Sequence, residues 1–186
     1  VFTMYGGVLY NGTADRDGGA VHVNGGRTAN LYGGRIYQCT AGGNGGGVCV
    51  SSKQSNLHLG KLTLENNTAD QGGNVYHVSD TALTVDGSTV TGGKAVTSGG
   101  IYVSRGDIIL SGKAVIRDNE NGSLYMTAAS TLNADNLETG ADVRIYNMSS
   151  MALETDMRYI SLEREGYTVT AVGGRQVLIP ESFEIP

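Results

Sequence analysis

A chain of 186 residues with 29 glycines, two prolines and no tryptophan is long enough for one ordinary domain, and its glycines fall in widely spaced pairs rather than at every third place, which excludes collagen. The net charge is −5, but residues 1–134 carry nine acidic and nine basic side chains and residues 135–186 carry nine against four, so no basic stripe exists to meet a nucleic-acid backbone. The apolar residues are periodic, which argues against disorder, and no apolar run approaches ~18 residues, so no membrane insertion is expected in this segment.

The chain opens on an alternation, Phe2/Met4, that runs into Gly6, and a third apolar position follows at Leu9. Next comes Gly18-Gly19 before Val21-His22-Val23. Both signals return. The first apolar residue after the double glycine recurs at Val21, Val48, Val75, Ile101 and, after a looser Asn121-Gly122-Ser123, at Leu124, in steps of 27, 27, 26 and 23. The glycine column Gly6, Gly33, Gly60, Gly87 and Gly112 steps by 27, 27, 27 and 25. Thr-Ala recurs at 13–14, 40–41 and 68–69. A fixed period of this size signals a repeat architecture. Within each period, Val21/Val23 or Ile101/Val103 and then Leu83/Val85 or Ile108/Leu110 alternate with period two, the signature of strands. Three short strands and three turns per period make one coil of a parallel β-helix, with coils stacked at about 4.8 Å.

Two places depart from this pattern. Leu57, Leu59, Leu62 and Leu64 sit one residue out of phase relative to Gly60, which predicts a bulge or shortened turn there. His77 falls in an inward column beside Val50 and Val103, as a core histidine with a partner or at a bend in the strand.

Residues 1–126, with 25 of the 29 glycines, are therefore read as about five coils. Their first strand lacks a polar cap, and the expectation is that more coils precede it and that end-to-end contact can occur there. Residues 127–186 are read as a degenerate last coil (Leu132, Leu137, Val143, Ile145) and a β-rich C-terminal cap. A short helix or covering loop is expected over 148–162. Tyr167–Val172 and Arg175–Ile179 around Gly173-Gly174 read as a hairpin. A cap is expected because a bare sheet edge invites aggregation.

In a stacked coil, chemistry runs down columns. The outward column of the first strand is His22, Cys49, Tyr76, Tyr102 and Tyr125, and Tyr5/Tyr32 and Tyr10/Tyr37 form shorter pairs. Rings at about 5 Å intervals make a candidate sugar or protein platform, with His22, Tyr76, Tyr102 and Tyr125 as its ligand-binding residues, although such ladders also arise because stacking stabilises a sheet. Cys39 and Cys49 flank a Gly-rich turn and are a candidate disulfide in an oxidising compartment. They are too few for a metal site, and no metal or cofactor is expected. Asp15, Asp17 and Asp70, with Asp118 and Glu120 later, precede the double glycines and could form a loose acidic ridge or simply make turns. No catalytic residue is assigned. Asn11, Asn66, Asn121 and Asn147 head Asn-x-Ser/Thr triplets of the kind expected by chance in such a composition.

Asn11-Gly-Thr-Ala followed by Gly18-Gly-Ala-Val-His-Val23, and Asn67-Thr-Ala-Asp-Gln-Gly-Gly-Asn-Val-Tyr76, resemble the Gly-Gly-apolar repeats of bacterial surface proteins. They are similar to the repeats of polymorphic outer-membrane proteins and, more closely, to adhesin-like β-helix repeats of large secreted proteins of gut bacteria. The resemblance covers 1–126. It implies a right-handed helix, a secreted or surface location, and a stalk or adhesin that meets a glycan or protein on a host or neighbouring cell surface. It supplies no catalytic residues. The alternative from another class is a carbohydrate-active enzyme, a polysaccharide lyase or glycoside hydrolase, a reading weakened by the absence of long inserted loops and of clustered Asp, Arg and His on one face.

Overall fold

The computed structural model describes residues 1–127, 129–148, 157–164, 167–172 and 175–180. It is an all-β, right-handed parallel β-helix of about six turns. One face stacks Val21–Val23, Val48–Val50, Val75–Val78, the start of Ile101–Gly112, Leu124–Met126 and the end of Asp142–Met148. The second face stacks Phe2–Met4, Thr28–Tyr32, Asn56–Gly60, Leu83–Asp86, the end of Ile101–Gly112 and Ser130–Leu137. The third stacks Val8–Tyr10, Arg35–Tyr37, Thr63–Glu65, Thr89–Thr91, Val115–Ile116, the start of Asp142–Met148 and Ile160–Leu162. The Thr-Ala pairs open a short fourth face, Thr13–Ala14, Thr40–Ala41, Thr68–Gln71 and Lys94–Thr97, that three strands per coil did not anticipate.

Alternation puts one column of each strand inside. Ala29, Leu57, Leu83 and Ile108 stack on one wall, and Ile36, Leu64, Val90 and Ile116 on another, all at most 1% exposed. Each large side chain so buried contributes about 1.5–3 kcal/mol relative to exposure. The expected bulge at Gly60 is not there. Leu57 pairs with Ala29 and Leu83, and Leu59 with Leu31 and Val85, in unbroken register. The extra residue is absorbed earlier, in the turn 51–55, because Val23 pairs with Val50 but Thr28 pairs with Asn56. Lys61, at φ 51°, then takes the left-handed corner that Gly33, Gly87 and Gly112 occupy in other coils. Gly60 is needed for a different reason: a Cβ on it would lie 2.7 Å from Cδ1 of Tyr32.

The stack continues past Met126 through Ser130–Leu137 and Asp142–Met148, which hold the alternation after the double glycine is lost. Ile160–Leu162 adds one more parallel strand, and Met157, Tyr159, Ile160 and Leu162 pack against the core. The helix or loop expected over 148–162 lies partly outside the described residues; its described end, 157–162, is a turn and a strand. Tyr167–Val172 and Arg175–Pro180 pair antiparallel as the hairpin pattern predicts, with Gly173-Gly174 outside the described residues.

Candidate functional site

The first face aligns its outward column as the period requires. His22 pairs with Cys49, Cys49 with Tyr76, Tyr76 with Tyr102, and Tyr102 with Tyr125. The ring centroids of Tyr76 and Tyr102 are 5.3 Å apart with a 10° interplanar angle, and those of Tyr102 and Tyr125 are 5.1 Å apart with 13°. A fourth ring, Tyr146, extends the ladder at 6.4 Å and 28°. Sequence reasoning missed it because the register shifts there: Leu124 pairs with Ile145, but Tyr125 pairs with Asn147. The available signal was the dipeptide Ile145-Tyr146, which repeats Ile101-Tyr102 and Leu124-Tyr125.

Stacking decides what the ladder offers. Tyr102 and Tyr125 each have a neighbouring ring on both sides, so their faces are largely occupied. All four tyrosines are half-buried, and among the described residues the only buried side-chain polar atom without a partner is Nδ1 of His77. The phenol hydroxyls, for which the described residues supply no hydrogen-bond partner, therefore reach solvent. Burial pushes the Tyr76 phenol above its ordinary pKa, with Tyr102, Cys49 and Asp17 adding to the shift. Burial and then Tyr125 do the same to Tyr102. Both hydroxyls stay protonated at neutral pH and can donate as well as accept. The shorter pairs lie on other faces. Tyr5 and Tyr32 are tilted at 5.9 Å, and Tyr10 and Tyr37 are stacked at 5.5 Å with Arg35 over the Tyr37 ring.

His22 shares the column but not the stack. Cys49 separates it from Tyr76, and its Nε2 shares a 2.7 Å hydrogen bond with Oγ of Ser51. Cys49 is fully buried although its strand position faces outward; burial, then the Asp17 charge, pushes its thiol up to about 12. Cys39 belongs to the aliphatic core and its Sγ donates to the Tyr37 carbonyl. Both thiols are buried and free in the structure.

The acidic residues do not make one ridge. Oδ1 of Asp17 accepts from the backbone and side-chain nitrogens of Asn44 one coil away, which is turn chemistry. Asp70 stacks on Gly43 and through it on Arg16, not on Asp15 or Asp17. Asp118 pairs with Arg117 and Arg144. Among the described residues no three His, Cys, Asp or Glu side chains group as metal ligands.

Comparison with family models, with curated proteins and with solved structures finds no match. The parallel solenoid thus rests on the structure and on the repeat residues themselves, and function must be argued from the faces of the helix.

Proposed function

We propose that this chain is a rigid β-helical module of a large secreted or surface-anchored bacterial protein, a stalk that presents a binding face to a glycan or protein on a host or neighbouring cell. The single observation that supports this is the four-ring tyrosine ladder on the outward column of the first face. Such a ladder costs side-chain entropy to order and leaves a row of polar groups turned to solvent rather than into the core. Six coils at about 4.8 Å give a rod of about 29 Å whose strands pair coil to coil and hold the rungs at fixed spacing. The repeat resemblance of residues 1–126 to adhesin-like surface proteins points the same way.

Incubation of the chain with a panel of plant, mucin and bacterial-wall glycans and of immobilised host-surface proteins tests this reading. The expected result is retention on at least one of them with no new reducing or unsaturated ends. Cleavage of any glycan, or retention by nothing in the panel, overturns it.

A further inference from the structure

Eight of the ten tyrosines lie against another tyrosine, and the ladder is the longest run of them. We propose that the ladder is a site of oxidative modification. A one-electron oxidant of the haem-peroxidase class, working with hydrogen peroxide, joins Tyr102 to Tyr76 or to Tyr125 through an ortho carbon–carbon bond and so staples adjacent coils. Such a bond forms whether or not the face also binds a glycan or a protein.

Three observations carry this. The first is proximity. Tyr102 pairs with Tyr76 on one side and Tyr125 on the other, with ring centroids 5.3 and 5.1 Å away and planes within 13° of parallel. The coil pairing holds two phenoxyl radicals formed there as neighbours, so they couple within the chain faster than between molecules. The χ2 torsion of tyrosine is soft, and tilting about it brings the edges of adjacent rings together. Tyr146, at 6.4 Å and 28°, is a poorer partner for Tyr125. The second is the route for protons. The four rings are half-buried, and their hydroxyls are neither enclosed nor hydrogen-bonded among the described residues, so water takes the proton that each phenol must lose. The third is charge over the rings. Tyr10 and Tyr37 stack at 5.5 Å and 11°, but the Arg35 guanidinium lies 4.2 Å from the Tyr37 centroid, and a cation over a ring opposes removal of an electron from it. Arg158 sits in the same way over Tyr159, outside the ladder, and Arg144, which precedes Tyr146, is held by Asp118 and Asp142. Tyr5 and Tyr32 are tilted by 32° at 5.9 Å.

Each of the two phenols gives one electron to the oxidant and its hydroxyl proton to water. The two ortho carbons then form one carbon–carbon bond. Each loses its ring hydrogen as a proton while a proton returns to each oxygen, which restores both aromatic rings. The chain loses two hydrogen atoms, and one hydrogen peroxide becomes two waters.

The test treats the dilute, purified chain with a haem peroxidase and limiting peroxide, beside a parallel reaction with N-acetyltyrosine that shows the oxidant is working. Monomer is separated by size and digested with trypsin, which leaves Tyr76, Tyr102, Tyr125 and Tyr146 on the separate peptides 62–94, 95–105, 118–144 and 145–158. The expected product is a fluorescent monomer lighter by two hydrogens, in which 95–105 is joined to 62–94 or to 118–144. Its yield is expected to exceed that of the Tyr10–Tyr37 link, between 1–16 and 36–53, by at least about tenfold. Y102F keeps the ring and the stack, so the untreated variant is expected to melt as the wild type does while cross-linking within the monomer falls at least about fivefold. Cross-linked wild-type monomer is expected to melt higher than untreated chain, because a closed loop constrains the unfolded state. Links distributed by exposure, led by Tyr5 and Tyr10 at 85% and 59%, overturn the proposal. So does the absence of any link to 95–105 while N-acetyltyrosine is coupled, undiminished cross-linking in Y102F, or a cross-linked monomer that melts lower than untreated chain. The peptide map is read on the wild type alone and does not depend on the variant folding.

Discussion

At the residue scale, the double glycines do more than turn the chain. Gly93 does not have a positive φ; it is required because a Cβ there would lie 1.9 Å from the Gly99 carbonyl oxygen and 2.5 Å from Nδ2 of Asn74. The space beside this glycine is filled by the Asn74 amide, from the corner that opens the same coil. Asn67 donates to Asn74, Asn74 to Asn119, and Asn119 to Ser123, so two buried amides and a half-buried one cross the corner from coil to coil. A polar side chain in a core is tolerated only when its partners are supplied, and here the backbone of Ile36, Thr91 and Val90 supplies the rest. His77 is the contrasting case. It stands in a column with Val50 and Val103, its Nε2–H donates to the Thr81 carbonyl at 3.1 Å, and its Nδ1 has no partner. Burial lowers its pKa, with the Thr81 bond opposing. The unfolded chain therefore takes up this proton before the folded chain does. Stability is full above the ordinary histidine value of about 6.5 and is lost as pH falls through it toward the folded pKa, at up to ~1.4 kcal/mol per pH unit. Denaturant melts at pH 7.5 and 5.5 are expected to show less acid destabilisation in H77V than in the wild type. Equal acid slopes would mean that His77 is already solvated when charged.

At the scale of elements, the segment 157–163 acts as a strap on the last coil. Glu163 accepts from the Ser123 backbone N–H at 2.7 Å and from its hydroxyl at 2.5 Å, while Ile160–Leu162 pairs with Asp142–Met148. In earlier coils the equivalent amide donates to a carbonyl of the next turn, as Gly100 does to Gly122 and Asn74 to Gly99. A carboxylate at Glu163 therefore ends the Asn67–Asn74–Asn119 run with a charge-assisted acceptor. Glu163→Ala is expected to cost about 2 kcal/mol, and Glu163→Gln about half of that because one acceptor oxygen remains. Urea unfolding of the two variants checks the order; equal stability of Glu163→Ala and wild type would remove the strap's anchoring role. None of this was legible in the sequence, because a single glutamate 40 residues from its partner leaves no periodic trace. The strands were legible, because Val21/Val23, Val48/Val50 and Ile101/Val103 each bury two sides of the same wall and so repeat. The first three rungs of the ladder followed from the same columns. Tyr146 did not, because a register shift displaced it, and Gly60 was misaligned because two neighbouring residues, Gly60 and Lys61, divide between them what one glycine does in other coils. The fourth face escaped notice because its strands Thr13–Ala14 and Thr40–Ala41 are two residues long, too short for an alternation to show.

At the scale of the molecule, the helix is one-dimensional. Each coil touches only the coils before and after it, so stability is a sum of coil terms and interface terms, and damage propagates by losing neighbours. Where a defect lies should then decide how far it spreads. Gly93 sits in a middle coil, and G93A forces its Cβ into the Gly99 backbone and the Asn74 amide, an overpacking cost of about 3 kcal/mol with no flexible side chain to yield. Both interfaces of that coil are strained, and the pairings Val48–Val75, Val75–Ile101 and Ile101–Leu124 straddle it. Glu163→Ala releases only one outer strand. Native-state hydrogen exchange resolved by segment is expected to show G93A raising exchange across Val48–Val50, Val75–Val78 and Leu124–Met126 together. Glu163→Ala is expected to confine the rise to Ser123 and Asp142–Met148 and to leave Val48–Val50 unchanged. If both variants raised exchange uniformly along the chain, the coils would be unfolding as one cooperative block. The ladder would then be held by the whole rod, and loss of any one coil would abolish all four tyrosine rungs at once. If the effects stay local, each rung depends on its own coil and the two beside it, and the rung at Tyr146 can be lost through Glu163→Ala while Tyr76 and Tyr102 stay in place.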